Sequence, residues 1–184
     1  MCLIVQKSKC DDQIKDWRTF NFNSMKTISL HGNDDSIPFN IQSFGKDCLN
    51  EFTLLETLDL EGNKLKMIEC KMFACLKNLK SLDLNSNQIE QIETCGFQGL
   101  VSLEVLNLGG NKLTKLESNS FQHLDKLKKL FLFLNQINRI EKDAFVGLQC
   151  LERLDLGQNK LRKLEANSFQ HLKSLVMPLG QSHI

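Results

Sequence analysis

From Leu55 onward the apolar positions recur with a period of 24 residues. Blocks beginning at Leu55, Leu79, Leu103, Leu127 and Leu151 each read LxxLxLxxNx(L/I)xx(I/L)xxxxFxxLxx, from LETLDLEGNKLKMIECKMFACLKN to LERLDLGQNKLRKLEANSFQHLKS. The xLxL segment alternates, which is the pattern of a short strand with one buried face. It predicts Leu58 and Leu60 inward, and with them Leu82 and Leu84, Leu106 and Leu108, Leu130 and Leu132, Leu154 and Leu156. The chain then turns at Asn63, Asn87, Asn111, Asn135 and Asn159. A side-chain amide both donates and accepts, so these asparagines are expected to form a ladder that satisfies backbone groups of their own and the adjacent coil. Inward Leu65, Ile89, Leu113, Ile137 and Leu161 follow, then Ile68, Ile92, Leu116, Ile140 and Leu164. Phe73, Phe97, Phe121, Phe145 and Phe169 should stack as a spine. A single coil cannot bury its apolar side; stacking at about 4.8 Å per strand pair makes the core continuous.

This motif resembles that of the leucine-rich repeat family, specifically its 24-residue "typical" subfamily, over Leu55 to about Leu175. The resemblance implies the α/β class: a right-handed horseshoe solenoid with a parallel sheet on its concave side and short turns or 3₁₀ segments on the convex side. Asn rather than Cys at the turn resembles the secreted and receptor-ectodomain members. The expected organisation is an atypical N-terminal cap over residues 1–24, a degenerate first repeat over 25–54, five full repeats over 55–174 and an incomplete last repeat over 175–184. Met25, Ile28, Leu30 and Asn33 fit the degenerate unit, and Pro38 and Gly45 predict a bulged connection before Leu55. An exposed last coil would promote end-to-end self-association.

Composition adds exclusions. Twenty-three Lys and Arg against 22 Asp and Glu leave a formal charge of +1, so no basic field predicts binding to nucleic acid or an anionic membrane. No apolar run approaches the ~20 residues of a membrane helix. Cys2 to Val5 is too short for the apolar core of a signal peptide, and no Asn-x-Ser/Thr sequon occurs; the extracellular or secreted location therefore rests on the resemblance. No nucleophile, base and orienter come together in the sequence, so neither a catalytic site nor a cofactor is expected.

Seven cysteines cannot all pair within one monomer. Cys48, Cys70 and Cys95 fall near the Phe position of successive coils, close enough to bridge. The favoured expectation is instead that they fill small half-buried apolar slots, as Cys75 and Cys150 would. Neither CxxC nor CxH pairs occur, so no metal site is expected. His123 and His171 occupy equivalent places two coils apart, roughly 10 Å at strand spacing, too far for one metal. The column Glu69, Glu93, Glu117, Glu141 and Glu165 reads as a solvated face with carboxylates near orphan N–H groups.

Function is expected on the concave sheet, where the outward residues differ from coil to coil. Asp59, Glu61 and Asp83 form an acidic patch; Asn107, Gly109 and Gly110 leave the middle small. The fourth coil presents Phe131 and Phe133, then Leu134, with Lys129, Arg153 and Asp155 at the rim. Aromatic anchors with a charged rim are the composition of a binding hot spot. Gly109 and Gly157 on either side would leave the rings prominent. The expected function is non-enzymatic recognition of a protein ligand, receptor-, adhesion- or innate-immunity-like. The alternative is an adaptor solenoid that targets a separate catalytic partner or domain.

Overall fold

The computed structural model describes residues 24–32, 41–43, 49–162 and 167–176. The expected cap, except Ser24, the turn at Asn33, Pro38, Gly45, Cys48 and the last eight residues lie outside these.

Ten strands follow one another along the chain. Six are three-residue strands of the main sheet: β1 (Thr27–Ser29), β2 (Thr57–Asp59), β4 (Ser81–Asp83), β6 (Val105–Asn107), β8 (Lys129–Phe131) and β10 (Arg153–Asp155). Between them lie two-residue strands on the return limb of each coil: β3 (Met67–Ile68), β5 (Gln91–Ile92), β7 (Lys115–Leu116) and β9 (Arg139–Ile140). The main sheet is parallel, in the order β1-β2-β4-β6-β8-β10, so each strand pairs with the next coil's. Its register follows the repeat without slip: Leu58 faces Leu82, Leu82 faces Leu106, Leu106 faces Leu130, and Leu130 faces Leu154. Ile28 faces Leu58, which seats β1 as a coil on the first full repeat. The molecule is a right-handed solenoid of stacked coils. No α-helix is present among the described residues, and none there crosses a membrane.

The core is the inward set of the repeat. Leu55, Leu58, Leu60, Leu65, Ile68, Phe73 and Leu76 of the first full coil are wholly buried, as are their counterparts in the next two coils to within a few per cent. The Phe rings stack, with centroids 6.0 Å apart from Phe97 to Phe121, 6.3 Å from Phe121 to Phe145 and 5.6 Å from Phe145 to Phe169. In the last full coil Leu154, Leu156, Leu161 and Phe169 are only partly buried.

The turn asparagines fasten each coil to the one before. Asn111 Nδ2 donates to Leu84 O of the preceding coil at 2.9 Å and to Leu108 O of its own at 3.0 Å. Its Oδ1 accepts the Ile89 N–H at 2.9 Å. Asn63, Asn87, Asn135 and Asn159 repeat the arrangement. A residue that both donates and accepts is required here, because the turn buries backbone groups no strand reaches.

The cysteines depart from expectation. Cys70 and Cys95 form a disulfide between adjacent coils, with Cα atoms 4.6 Å apart, instead of filling apolar slots. Cys70 is exposed, so burial gave it no refuge as a thiol site. Their spacing is one residue more than the repeat, and the return limb still brings them opposite each other: Lys71 N–H donates to Cys95 O at 3.0 Å. Cys150 is exposed and packs in no slot, whereas Cys75 is half-buried against the core, where burial pushes its thiol pKa up.

Candidate functional site

The pleat of the main sheet sends alternate residues outward, so three columns run across the coils. The second column reads Ser29, Asp59, Asp83, Asn107, Phe131, Asp155 and the third His31, Glu61, Asn85, Gly109, Phe133, Gly157. At one end of this surface the carboxylates gather. Asp59 Oδ2 lies 3.3 Å from His31 Nδ1, and Glu61 Oε2 lies 3.8 Å from His31 Nε2. Ser29 Oγ donates to Asp59 Oδ2 at 3.0 Å, and Asn85 Nδ2 to Glu61 Oε1 at 3.0 Å. Asp83 is half-buried beside them. Burial above all pushes its pKa up, Asp59 and Glu61 add repulsion, and hydrogen bonds from Asn85 N and Asn107 Nδ2 act against the rise.

His31, Asp59 and Glu61 each offer a ligand atom within 4.8 Å of the others. The sequence gives no sign that His31 joins the carboxylates. They lie 28 and more residues away, and only the stacking of β1 on β2 brings them together. The imidazole turns one nitrogen toward each carboxylate. That is the geometry of a ring seated between two acceptors.

The opposite end is aromatic and basic. Arg153 Cζ sits 5.2 Å from the centroid of the Phe131 ring, a cation–π contact that presents the guanidinium to solvent. Lys129 is exposed beside it. Phe133 does not stand prominent as expected. A Cβ on Gly109 would lie 2.5 Å from Phe133 Cζ, so the ring lies down over Gly109 and buries it. The gap that was to expose the ring is the gap it fills, because covering an open backbone removes apolar surface from water. On the other side of Gly109, Asn85 Oδ1 is buried without a hydrogen-bond partner.

Leu134 stands out more than either Phe. It is 52% exposed and adopts φ +53°. The same turn position is Gly62, Ser86, Gly110 and Gln158 in the other full coils, all at positive φ. The left-handed region costs an L residue roughly 1–2 kcal/mol, which glycine avoids and a bulky Leu does not. A large apolar side chain is thus held in water on a strained turn, next to Phe133. The column of Gly62 and Gly110 was the sequence signal that marked this position.

A second feature missed in the sequence lies at the edge of the sheet, one residue before the first outward column of Thr27, Thr57, Ser81, Val105, Lys129 and Arg153. Lys26, Glu56, Lys80, Glu104, Lys128 and Glu152 alternate in sign from coil to coil. Glu56 bonds Lys26 at 2.9 Å and Lys80 at 2.7 Å, and Glu104 bonds Lys128 at 2.8 Å. The Lys80 ammonium first, then Lys26, holds the Glu56 carboxyl down to about 2. On the return limb, the Glu column binds backbone across coils: Glu93 Oε2 accepts Cys70 N–H and Glu141 Oε2 accepts Ser118 N–H at 3.1 Å. A cavity of about 280 Å³ lined by Glu90, Ile92, Lys115 and Glu117 also lies on that limb, away from the outward columns.

These coils, with their Leu register, asparagine ladder and Phe spine, are those of a leucine-rich repeat protein. Matches to the leucine rich repeat family model cover residues 39–89, 77–137 and 126–177, and the chain belongs to that family. Chaoptin of Tribolium castaneum is 33% identical over 76 residues, covering 41% of this chain and 9% of Chaoptin. Among solved structures, TLR13 in its complex with ssRNA13 matches 83% of the chain and 24% of its own, at 27% identity and a TM-score of 0.61. Toll in the Toll–Spatzle complex, described as a molecular hub in Drosophila development and innate immunity, matches 84% of the chain and 21% of its own, at 23% identity and a TM-score of 0.74. The chain therefore spans less than a quarter of any of these three relatives.

Proposed function

We propose that this chain is a non-enzymatic recognition scaffold of the receptor or adhesion kind, and that it binds a protein ligand on its concave face around Phe131, Phe133 and Leu134. The observation that carries this reading is Leu134, a large apolar side chain held exposed on a left-handed turn that other coils give to Gly, Ser or Gln. Backbone strain of this kind, held in place by the surrounding fold, clusters at binding and switch sites. Lys129, Arg153 and Asp155 supply the rim, and the cation–π pair pre-orders Arg153 and Phe131. Asp59, Glu61 and Asp83 extend the surface toward the first coils. Toll is seen in complex with Spatzle, which is a precedent for such use of a similar solenoid. The Cys70–Cys95 disulfide supports an extracellular location, since such bridges persist in oxidising compartments.

The test is a photo-crosslinker installed at Lys129 on the purified protein, followed by affinity measurement on the partner it captures. Phe131→Ala and Phe133→Ala are expected to cost at least ~2 kcal/mol of binding each with folding intact. Unchanged affinity in both variants would sink the reading. A single-stranded RNA oligonucleotide, tested because TLR13 is seen with ssRNA13, is expected to bind in no way that depends on the two rings.

A further inference from the structure

The charges of the concave face divide into two kinds. Those on the edge ladder are matched within the chain: Glu56 lies between Lys26 and Lys80, and Glu104 meets Lys128. Those of the outward columns are not. Among the described residues, no Lys or Arg nitrogen comes within 4.0 Å of the carboxylates of Asp59, Glu61 or Asp83, and only the His31 ring approaches two of them. Among the described residues, no carboxylate comes within that distance of Lys129 or Arg153 either. Asp155, two residues beyond Arg153, instead accepts the Gly157 N–H at 3.0 Å. The same coils that neutralise their edge therefore leave a negative pole at one end of the face and a positive pole at the other.

Stacking fixes the separation. Asp59 and Arg153 belong to strands four coils apart, which is about 19 Å at strand spacing. Between the poles the floor is low: Asn107 bonds within the sheet, and Gly109 lies under the flat Phe133 ring. An extended segment covers that distance in roughly six residues. A compact charge of one sign could engage only one of the two poles.

We propose that the ligand's contact element is an extended segment laid across the coils, with a basic side chain over Asp59, Glu61 and Asp83 and an acidic side chain against Lys129 and Arg153. This rests on the concave-face reading above and adds the chemistry and direction of the partner. Electrostatic complementarity of this kind acts chiefly on selectivity and association rate. Salt is therefore expected to weaken the interaction markedly, as both poles are open to solvent.

The probes are synthetic peptides of equal length with the same apolar centre. One carries lysines and glutamates about six residues apart, one only lysines, one only glutamates, and one no charge. Titrations followed by amide chemical shifts at ~50 mM salt, where screening is weak, are expected to rank the bipolar peptide about tenfold above each of the others. Asp59→Asn with Glu61→Gln should erase its advantage over the glutamate-only peptide. Lys129→Gln with Arg153→Gln should erase its advantage over the lysine-only peptide. Both variants are checked for an unchanged fold by the dispersion of the core amides. A single-sign peptide that binds as tightly as the bipolar one overturns the proposal, and so does a complete absence of binding. If the uncharged peptide binds as tightly and Phe133→Ala abolishes it, the bipolar segment is wrong while the concave-face reading stands. If the shifts map to the return limb instead, both fall.

Discussion

Leu134 shows what one residue can carry when the repeat around it is regular. Four other full coils define the turn as a left-handed position, so the Leu is measured against an internal standard. Returning it to the glycine of Gly62 and Gly110 removes roughly 1–2 kcal/mol of backbone strain. It adds about 0.5–1 kcal/mol of chain entropy cost, because glycine has more freedom to lose. Leu134→Gly is therefore expected to raise unfolding free energy by about 0.5–1 kcal/mol while weakening the partner's binding. Chemical denaturation and an affinity measurement on the same variant check the two halves. Weaker binding without a gain in stability would mean that the turn is unstrained in the free chain. At this scale the sequence was most legible where one residue type serves one purpose. The inward Leu and turn Asn could be named because their period is strict and their chemistry admits few substitutes. Phe133 was misjudged for the opposite reason. Its outward column was right, but a rotamer that folds the ring over Gly109 is decided by a neighbouring coil, not by its own block.

Between coils the fold is held by links that repeat once per turn, and two of these escaped the motif. The alternating Lys and Glu of the edge ladder were in the sequence at strict spacing, but the outward columns began one position later and passed them by. The disulfide was passed over in favour of buried apolar slots, the general habit of isolated Cys, although Cys70 and Cys95 lie only one residue out of repeat register. The return limb tolerates that offset. Its strands are two residues long, and two separate pairs, β3-β5 and β7-β9, replace a continuous sheet. Elsewhere the asparagine ladder and the Phe stack already join neighbouring coils. The bridge adds a covalent link across 25 residues of chain. Closing a loop of that size removes freedom from the unfolded chain and stabilises by typically 2–4 kcal/mol. Cys70→Ser with Cys95→Ser is expected to lower unfolding free energy by about that amount in denaturant titrations. Reductant should bring the unmutated protein down to the variant's curve and leave the variant's own curve where it is. A reductant-insensitive unmutated protein would mean that the two thiols are not joined in solution.

For the whole molecule, the division between inward regularity and outward variety implies that binding and stability are written on different residues and can be separated. The acidic pole tests this, because its carboxylates face outward and none serves the core. Burial, reinforced by Asp59 and Glu61, raises the Asp83 pKa in the folded chain. A group whose folded pKa is raised favours folding fully below its unfolded value. That contribution is lost as pH rises through the folded value, so at neutral pH the ionised Asp83 is a net cost to the fold. Asp59→Asn and Glu61→Gln keep an acceptor oxygen for the Glu61 N–H and the Asn85 amide, which those carboxylates now serve, and remove the repulsion. The double variant is expected to be at least as stable as the unmutated chain at pH 7. Near pH ~3, below the ordinary carboxyl range, its advantage should vanish. In the same variant the Asp83 midpoint, followed by carboxyl chemical shift, should fall yet stay above the ordinary aspartate value, because burial is the larger cause and remains. A loss of more than ~1 kcal/mol at pH 7 would show that these carboxylates hold the first coils together instead of waiting for a partner. In that case the negative pole would belong to the scaffold, and the bipolar face would lose the end that gives it a direction.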